Sequence, residues 1–217
     1  MRHLIFDLDG TLLNTIVDIN AAINEALRRC GYDYSFSVPD TRYLIGDGAD
    51  ALVRRALKEN GGDLRRFQEL KAVYMPLYKA LQCDHVAPFP GLKETLEEAR
   101  RSGYSFYVST NKPHALALDV LTATYGEGFF SGILGAKEGQ PVKPDPTGVL
   151  SLMEEFGLKK EECVYVGDSH VDVLTARNAG IPVILVGWGY ETNYPEWKDK
   201  ADYFVEDRAA LASLLKR

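Results

Sequence analysis

The chain of 217 residues is predicted to be an α/β protein, a doubly wound parallel sheet with an α-helical domain inserted after its first strand. Three observations carry this expectation. Residues 3–8 are a short apolar strand running into Asp7-Leu8-Asp9-Gly10-Thr11. Residues 15–85 then take helical spacing with no convincing strand. Beyond Pro88-Phe89-Pro90-Gly91, short apolar runs alternate with helical patterns, which implies right-handed crossovers in one parallel sheet. The expected organisation is a core of residues 1–14 and 86–217 and a helical domain of residues 15–85.

Each element has its own signal. In the inserted block Ile16, Ile19, Ala22, Ile23, Ala26 and Leu27 recur at helical spacing. Leu52, Val53, Ala56 and Leu57 do the same, as do Phe67, Leu70, Val73, Tyr74 and Leu77. Gly61-Gly62-Asp63 separates two of these helices. A helix follows over 92–101, then a strand over 105–109. The helix over 113–125 carries Pro113 in its first turn. A weaker strand lies near Ile133, a helix over 146–156, a strand over 163–166 and a helix over 171–179. A strand over 181–186 and a last helix over 209–215 complete the pattern.

Composition narrows the function. Hydrophobic residues make up 46% of the chain, enough for one sizeable core or a core with a small satellite. The formal charge of −6 argues against a nucleic-acid or membrane-surface binder, and any anion site must be made locally positive. Cys30, Cys83 and Cys163 are odd in number and never paired as Cys-x-x-Cys, so they read as thiols of a reducing compartment. No basic segment leads a long apolar run at the N-terminus, and no run approaches the ~18 residues of a membrane span. The expectation is a soluble cytoplasmic protein.

The chemistry starts at Asp7 and Asp9. Alternation along a strand sends both side chains to the same side. Like charges held so close repel by roughly 4 kcal/mol at 4 Å for an effective dielectric near 20. A cation, a shared proton or a reaction must offset that; a polar turn after an edge strand is the other reading of the pair taken alone. Ligands of open parallel sheets bind beyond the carboxyl ends of the strands. There the chain also places Ser109-Thr110-Asn111-Lys112, the loop Val142-Lys143-Pro144-Asp145, and Gly167-Asp168-Ser169-His170-Val171-Asp172. Asp7 and Asp168, with Asp172 a further candidate, offer hard oxygen ligands suited to Mg2+. With Lys143 they make a pocket that fits a phosphoryl group, toward which Thr110 donates its hydroxyl. Asp7 then serves as a nucleophile that takes the phosphoryl group. Asp9 protonates the leaving alkoxide and later activates water.

These residues resemble the four motifs of the haloacid dehalogenase superfamily, in the family's order and over essentially the whole chain. Asp-x-Asp-Gly-Thr falls at Asp7, Asp9 and Thr11, the Ser/Thr motif at Thr110, the lysine at Lys143, and Gly-Asp-x-x-x-Asp at Gly167, Asp168 and Asp172. The resemblance implies a Rossmann-like core, a helical cap at residues 15–85 that closes over the site, and an aspartyl-phosphate on Asp7. It also implies Mg2+ held by the Asp7 carboxylate, the Asp9 main-chain carbonyl and Asp168. Asp9 separates the phosphatases of the superfamily from its dehalogenases, which need no acid for an alkoxide.

Gly46-Asp47-Gly48-Ala49-Asp50, Thr110-Asn111-Lys112-Pro113 and Gly167-Asp168-Ser169 look most like phosphoglycolate phosphatases. The resemblance therefore implies a small phosphorylated metabolite as partner, 2-phosphoglycolate or a similar ester, and a monomer or homodimer. Substrate contacts are expected from Thr110, Asn111, Lys143 and the Gly46, Asp47, Gly48 turn, the last of which also reads as a plain turn between helices. A β-phosphoglucomutase-like phosphomutase and a pyrophosphatase or nucleotidase of the same superfamily stay open, as does a non-catalytic phospho-acceptor. Arg42 and Lys112 read as solvated or structural charges, His170 as a loop histidine, and Trp188 and Tyr190 as packing residues. Asn14 is expected to cap the first inserted helix.

Overall fold

The apolar N-terminal run forms β1 (His3–Phe6), and Leu4, Ile5 and Phe6 are buried because strands flank β1 on both sides. In the computed structural model, which describes residues 1–58, 64–191 and 193–216, the chain then continues through β2 (Leu13–Asn14) and α1 (Ile16–Arg29). Next come α2 (Val38–Thr41), α3 (Gly48–Lys58), α4 (Phe67–Leu81) and β3 (Ala87–Pro88). They are followed by α5 (Leu92–Arg101), β4 (Ser105–Pro113), α6 (His114–Tyr125), β5 (Gly132–Ala136) and α7 (Thr147–Glu155). The chain ends through β6 (Cys163–Gly167), α8 (His170–Ala179), β7 (Val183–Val186), α9 (Tyr194–Trp197), β8 (Tyr203–Val205) and α10 (Arg208–Leu215). The break expected at Gly61-Gly62-Asp63 lies outside the described residues.

The sheet is parallel throughout, in the order β5-β4-β1-β6-β7-β8. The chain winds outward from β1 through β4 to β5, then returns to the other side of β1 for β6, β7 and β8. Winding reverses beside β1, and a crevice opens at the strand ends where it does. Alternation sorts the strand residues onto two faces. Leu4, Phe6, Phe106, Val108, Val164, Val166, Ile184 and Val186 pack against α5, α6 and α10. Ile5, Tyr107, Tyr165, Val183 and Leu185 pack against α7 and α8. A third apolar cluster joins α1, α3 and α4, with Leu116 of α6 as its contact from the sheet side. β2 and β3, where the chain leaves for these helices and where it returns, form their own antiparallel pair, Leu13 on Pro88 and Asn14 on Ala87.

Three details depart from the sequence expectation. β1 ends at Phe6, so Asp7 and Asp9 lie just past the strand. β4 runs on to Pro113 with a register shift after Thr110, so Thr110, Asn111 and Lys112 lie within it, and Pro113 precedes the helix instead of opening its first turn. The sequence pattern does not announce β8, an edge strand in which Tyr203 and Phe204 are exposed and Val205 alone is buried. Cys30 and Cys163 are buried and Cys83 exposed, and none is bonded. No helix among the described residues is long and apolar enough to cross a membrane.

Candidate active site

Strand register assembles the site. Phe6 lies opposite Val108 on β4 and Val166 on β6, so the three chains reach the crevice in step. The Asp7 N–H donates to the Val166 carbonyl at 2.9 Å, which ties the tip of β1 to β6. Asp168 then lies just past β6 and Thr110 near the end of β4. Ligand oxygens of Asp7, Asp168 and Asp172 all fall within 4.8 Å of one another.

One cation, Lys143, answers two of these acids directly, Asp7 and Asp172. Lys143 Nζ is 2.7 Å from Asp172 Oδ1, 2.9 Å from Asp7 Oδ2 and 3.1 Å from the Tyr165 hydroxyl. The Lys143–Pro144 peptide, inside the turn closed by the Asp145 N–H on the Val142 carbonyl, is cis. Asp172 is fully buried, and its Oδ2 accepts from the Asp168 N–H, the Ser169 N–H and the Ser169 hydroxyl, which makes a capping box at the start of α8. Asp168 accepts from the Thr11 hydroxyl at 2.7 Å and from the Tyr190 N–H at 2.7 Å. Asp7 Oδ1, by contrast, is buried and has no hydrogen-bond partner among the described residues.

The acids carry the cost of this crowding. Burial, only partly relieved by Lys143, pushes the Asp7 carboxyl up to about 6. Burial and then the neighbouring Asp172 and Asp7 raise Asp168 well above the usual carboxylate range. Burial pulls Lys143 down, but Asp172 and Asp7 outweigh it and hold the ammonium well above its ordinary value. An all-oxygen donor set of three acids, an orphaned carboxylate oxygen and a single lysine that reaches only two of those acids fit a hard divalent cation.

Above the acids lies a cavity of about 240 Å³ between the sheet end and the inserted helices. Asp7, Asp9, Thr110, Asn111, Asp168 and the Gly46-Asp47-Gly48 turn all line it. Lys143 and Asp172 do not; Lys143 lies behind Asp7 and borders a smaller hollow of about 40 Å³. The Asn111 amide is spent on structure: Nδ2 donates to the carbonyls of Gly46 and Lys143, each at 3.1 Å, and Oδ1 accepts from the Lys143 N–H. Asp47 pairs with Arg55. Gly46 and Gly48 take positive φ, and a Cβ on Gly48 would lie 3.4 Å from the Asn111 carbonyl oxygen. Arg42 is exposed at the cavity mouth, whereas Lys112 is buried against Asp9 and Tyr78.

Tyr190 corrects the expectation that it and Trp188 only pack. Its hydroxyl accepts from the N–H groups of Thr15 and Ile16 at 2.7 and 3.1 Å and donates to Asn14 Oδ1 at 3.1 Å. The start of α1 is thus capped by a side chain from the far end of the sequence, and Asn14 serves this cap instead of providing it. Nothing in the local pattern signals that pairing; only the Gly-Trp-Gly-Tyr run after β7 marks the loop. Gly189 is required there, since a Cβ would fall 2.2 Å from the Asp168 Cβ. Trp188 Nε1 donates to the Thr11 carbonyl at 3.1 Å. His170 begins α8, and its backbone N–H and Nδ1 both contact Glu191 Oε2 at 2.9 Å.

Residues 4–186 match the model of the family described as haloacid dehalogenase-like hydrolase. The phosphoglycolate phosphatase of Pasteurella multocida (strain Pm70) is 34% identical over 219 residues, covering 97% of this chain and 96% of its own. That of Haemophilus influenzae (strain 86-028NP) is 34% identical over 218 residues with the same coverage. Among solved structures, a predicted phosphoglycolate phosphatase from Haemophilus somnus 129PT superposes with a TM-score of 0.90 at 33% identity, covering 99% of this chain and 97% of that one.

Proposed function

Because the chain belongs to the haloacid dehalogenase-like hydrolases, we propose that it is a Mg2+-dependent phosphatase acting on a small phosphomonoester through an aspartyl-phosphate on Asp7. The observation that carries this reading is the Asp7 carboxylate itself. Lys143 holds one of its oxygens, and the other is buried without a partner among the described residues, beside a cavity that Asp9 and Thr110 also line. A carboxylate so placed is aimed and undersolvated, which favours attack on phosphorus. 2-Phosphoglycolate, the ester named in the relatives, is the substrate proposed.

In the first step Asp7 attacks in line, the P–O bond to the leaving group breaks, and Asp9 gives the departing alkoxide a proton. In the second, Asp9 takes a proton from water, which attacks the phosphorus of the acyl phosphate, so that the P–O bond to Asp7 breaks, inorganic phosphate leaves and the Asp7 carboxylate is regenerated. Proton transfer of this kind contributes ~10²–10⁴-fold. Thr110 and Lys143 stabilise charge on the phosphoryl oxygens. Asp7, Asp168 and the Asp9 main-chain carbonyl would hold Mg2+, which would neutralise the remaining charge on the phosphoryl oxygens when bound. Asp172, with its oxygens engaged by Lys143 and the Ser169 turn, serves chiefly to hold Lys143. The helices between β2 and β3 act as the cap, and the Gly46–Gly48 turn meets the substrate.

The test is turnover of 2-phosphoglycolate and a panel of other phosphorylated metabolites with Mg2+ and with chelator. Asp7→Asn is expected to abolish turnover while thermal unfolding stays nearly unchanged. Substantial activity in that variant, or full activity in chelator, overturns the reading.

A further inference from the structure

Lys112 is the second buried ammonium among the described residues, and the mechanism above makes no use of it. Its side chain is 1% exposed, so it needs partners where it lies. It has two, from different parts of the fold. Nζ is 3.3 Å from Asp9 Oδ1, and it donates to the hydroxyl of Tyr78, a residue of α4, with the ring centroid 4.3 Å away. Asp9 Oδ2 has no hydrogen bond among the described residues.

The backbone of Lys112 is held just as firmly. Its N–H donates to Thr110 Oγ1 at 3.2 Å. A Cβ on Gly135 of the neighbouring strand would come within 2.6 Å of its carbonyl oxygen, so β5 lies directly against it. On the other side Tyr78 stacks on Tyr74, with centroids 5.4 Å apart and planes at 12°. A rigid strand and a rigid aromatic pair thus fix the ammonium, and the ammonium fixes one oxygen of a carboxyl that is otherwise free to turn.

We propose that Lys112 and Tyr78 are positioning residues for Asp9, restraining Oδ1 so that Oδ2 meets the departing ester oxygen only while α4 is seated on the core. This rests on the reading of Asp9 as the general acid. It goes beyond that reading in making the acid's aim depend on a residue of the inserted helices. Lys112 then affects steps in which a proton must reach the leaving group, and spares those in which none is needed.

Phenyl phosphate and p-nitrophenyl phosphate have nearly the same shape, and the p-nitrophenolate departs with little help from a proton. Lys112→Met and Tyr78→Phe are compared with the unaltered enzyme on both esters, with Asp9→Asn as benchmark, reading kcat/KM. Lys112→Met is expected to lose about tenfold more on phenyl phosphate than on p-nitrophenyl phosphate, with Tyr78→Phe shifted the same way by less. A split in Tyr78→Phe carries the proposal if Lys112→Met does not fold. Equal losses on the two esters in the variants that fold, or no loss, overturn it and leave the phosphatase reading standing. If the unaltered enzyme turns over neither these esters nor 2-phosphoglycolate, the phosphatase reading itself fails.

Discussion

Tyr190→Phe removes one oxygen atom and keeps the ring, so it isolates the cap on α1. Four groups lose their partner: the N–H of Thr15, the N–H of Ile16, the Asn14 side-chain carbonyl and, more weakly, the Thr15 hydroxyl, at 2.7, 3.1, 3.1 and 3.4 Å. Thr15, Ile16 and Tyr190 are all buried, so the two N–H groups cannot simply turn to bulk water. An unsatisfied buried donor costs about 1–3 kcal/mol. Two donors, eased where water enters from the adjoining cavity, come to about 2–4 kcal/mol. For a chain of this size each kcal/mol moves the thermal midpoint by roughly 2–4 °C, so Tm falls by about 4–16 °C. Chemical denaturation measures the free energy, and hydrogen exchange at Thr15 and Ile16 locates it. A loss under about 0.5 kcal/mol, or unchanged exchange at those amides, refutes the argument that this hydroxyl is the cap.

Other outcomes follow from the same contacts. Gly189→Ala puts a methyl 2.2 Å from Asp168 Cβ and 2.4 Å from its Cγ and Oδ2, so Asp168 must move. The Mg2+ needed for half-maximal activity is expected to rise about tenfold, and a normal Mg2+ titration would count against Asp168 as a ligand. For His170 and Glu191, the sign of each shift sets a pH window. The hydrogen bond to Glu191 raises His170 above 6.5, so its stabilisation is complete below that value and is lost as pH climbs through the folded one. Burial works to raise Glu191, but the His170 side chain and the His170 and Asn193 amides outweigh it and bring the carboxyl to about 2 from 4.5, so its share is lost as pH falls toward 2. The stability gap between the unaltered protein and Glu191→Gln should therefore peak between 4.5 and 6.5, and a gap independent of pH dismisses the pair.

Much of the fold was legible because its signals are local. The apolar runs at 3–6, 105–109, 163–166 and 183–186 are buried on both faces, and parallel strands advertise themselves that way. The tips were legible for the same reason, since polar residues directly after such runs have to lie at the crevice. What could not be read is whatever depends on partners distant in sequence. The helix cap from Tyr190 reaches back 175 residues to Thr15, and the Lys112–Asp9 contact spans 103. Lys112 looks like any exposed charge in the sequence until β5 and α4 enclose it. Asn111 has the composition of a ligand-binding residue, yet its amide is consumed by two loops of the protein. β8 escaped notice because an edge strand with one buried side chain has no alternation to display.

The short ladder of Leu13 and Asn14 on Ala87 and Pro88 has an evolutionary corollary. It stitches the departure and the homecoming of the insert together like the neck of a purse. Anything hung from that neck can grow, shrink or be traded during descent without tugging on the six-stranded platform. Lineages that preserve the platform and exchange the purse would keep one reaction while acquiring a new clientele of esters.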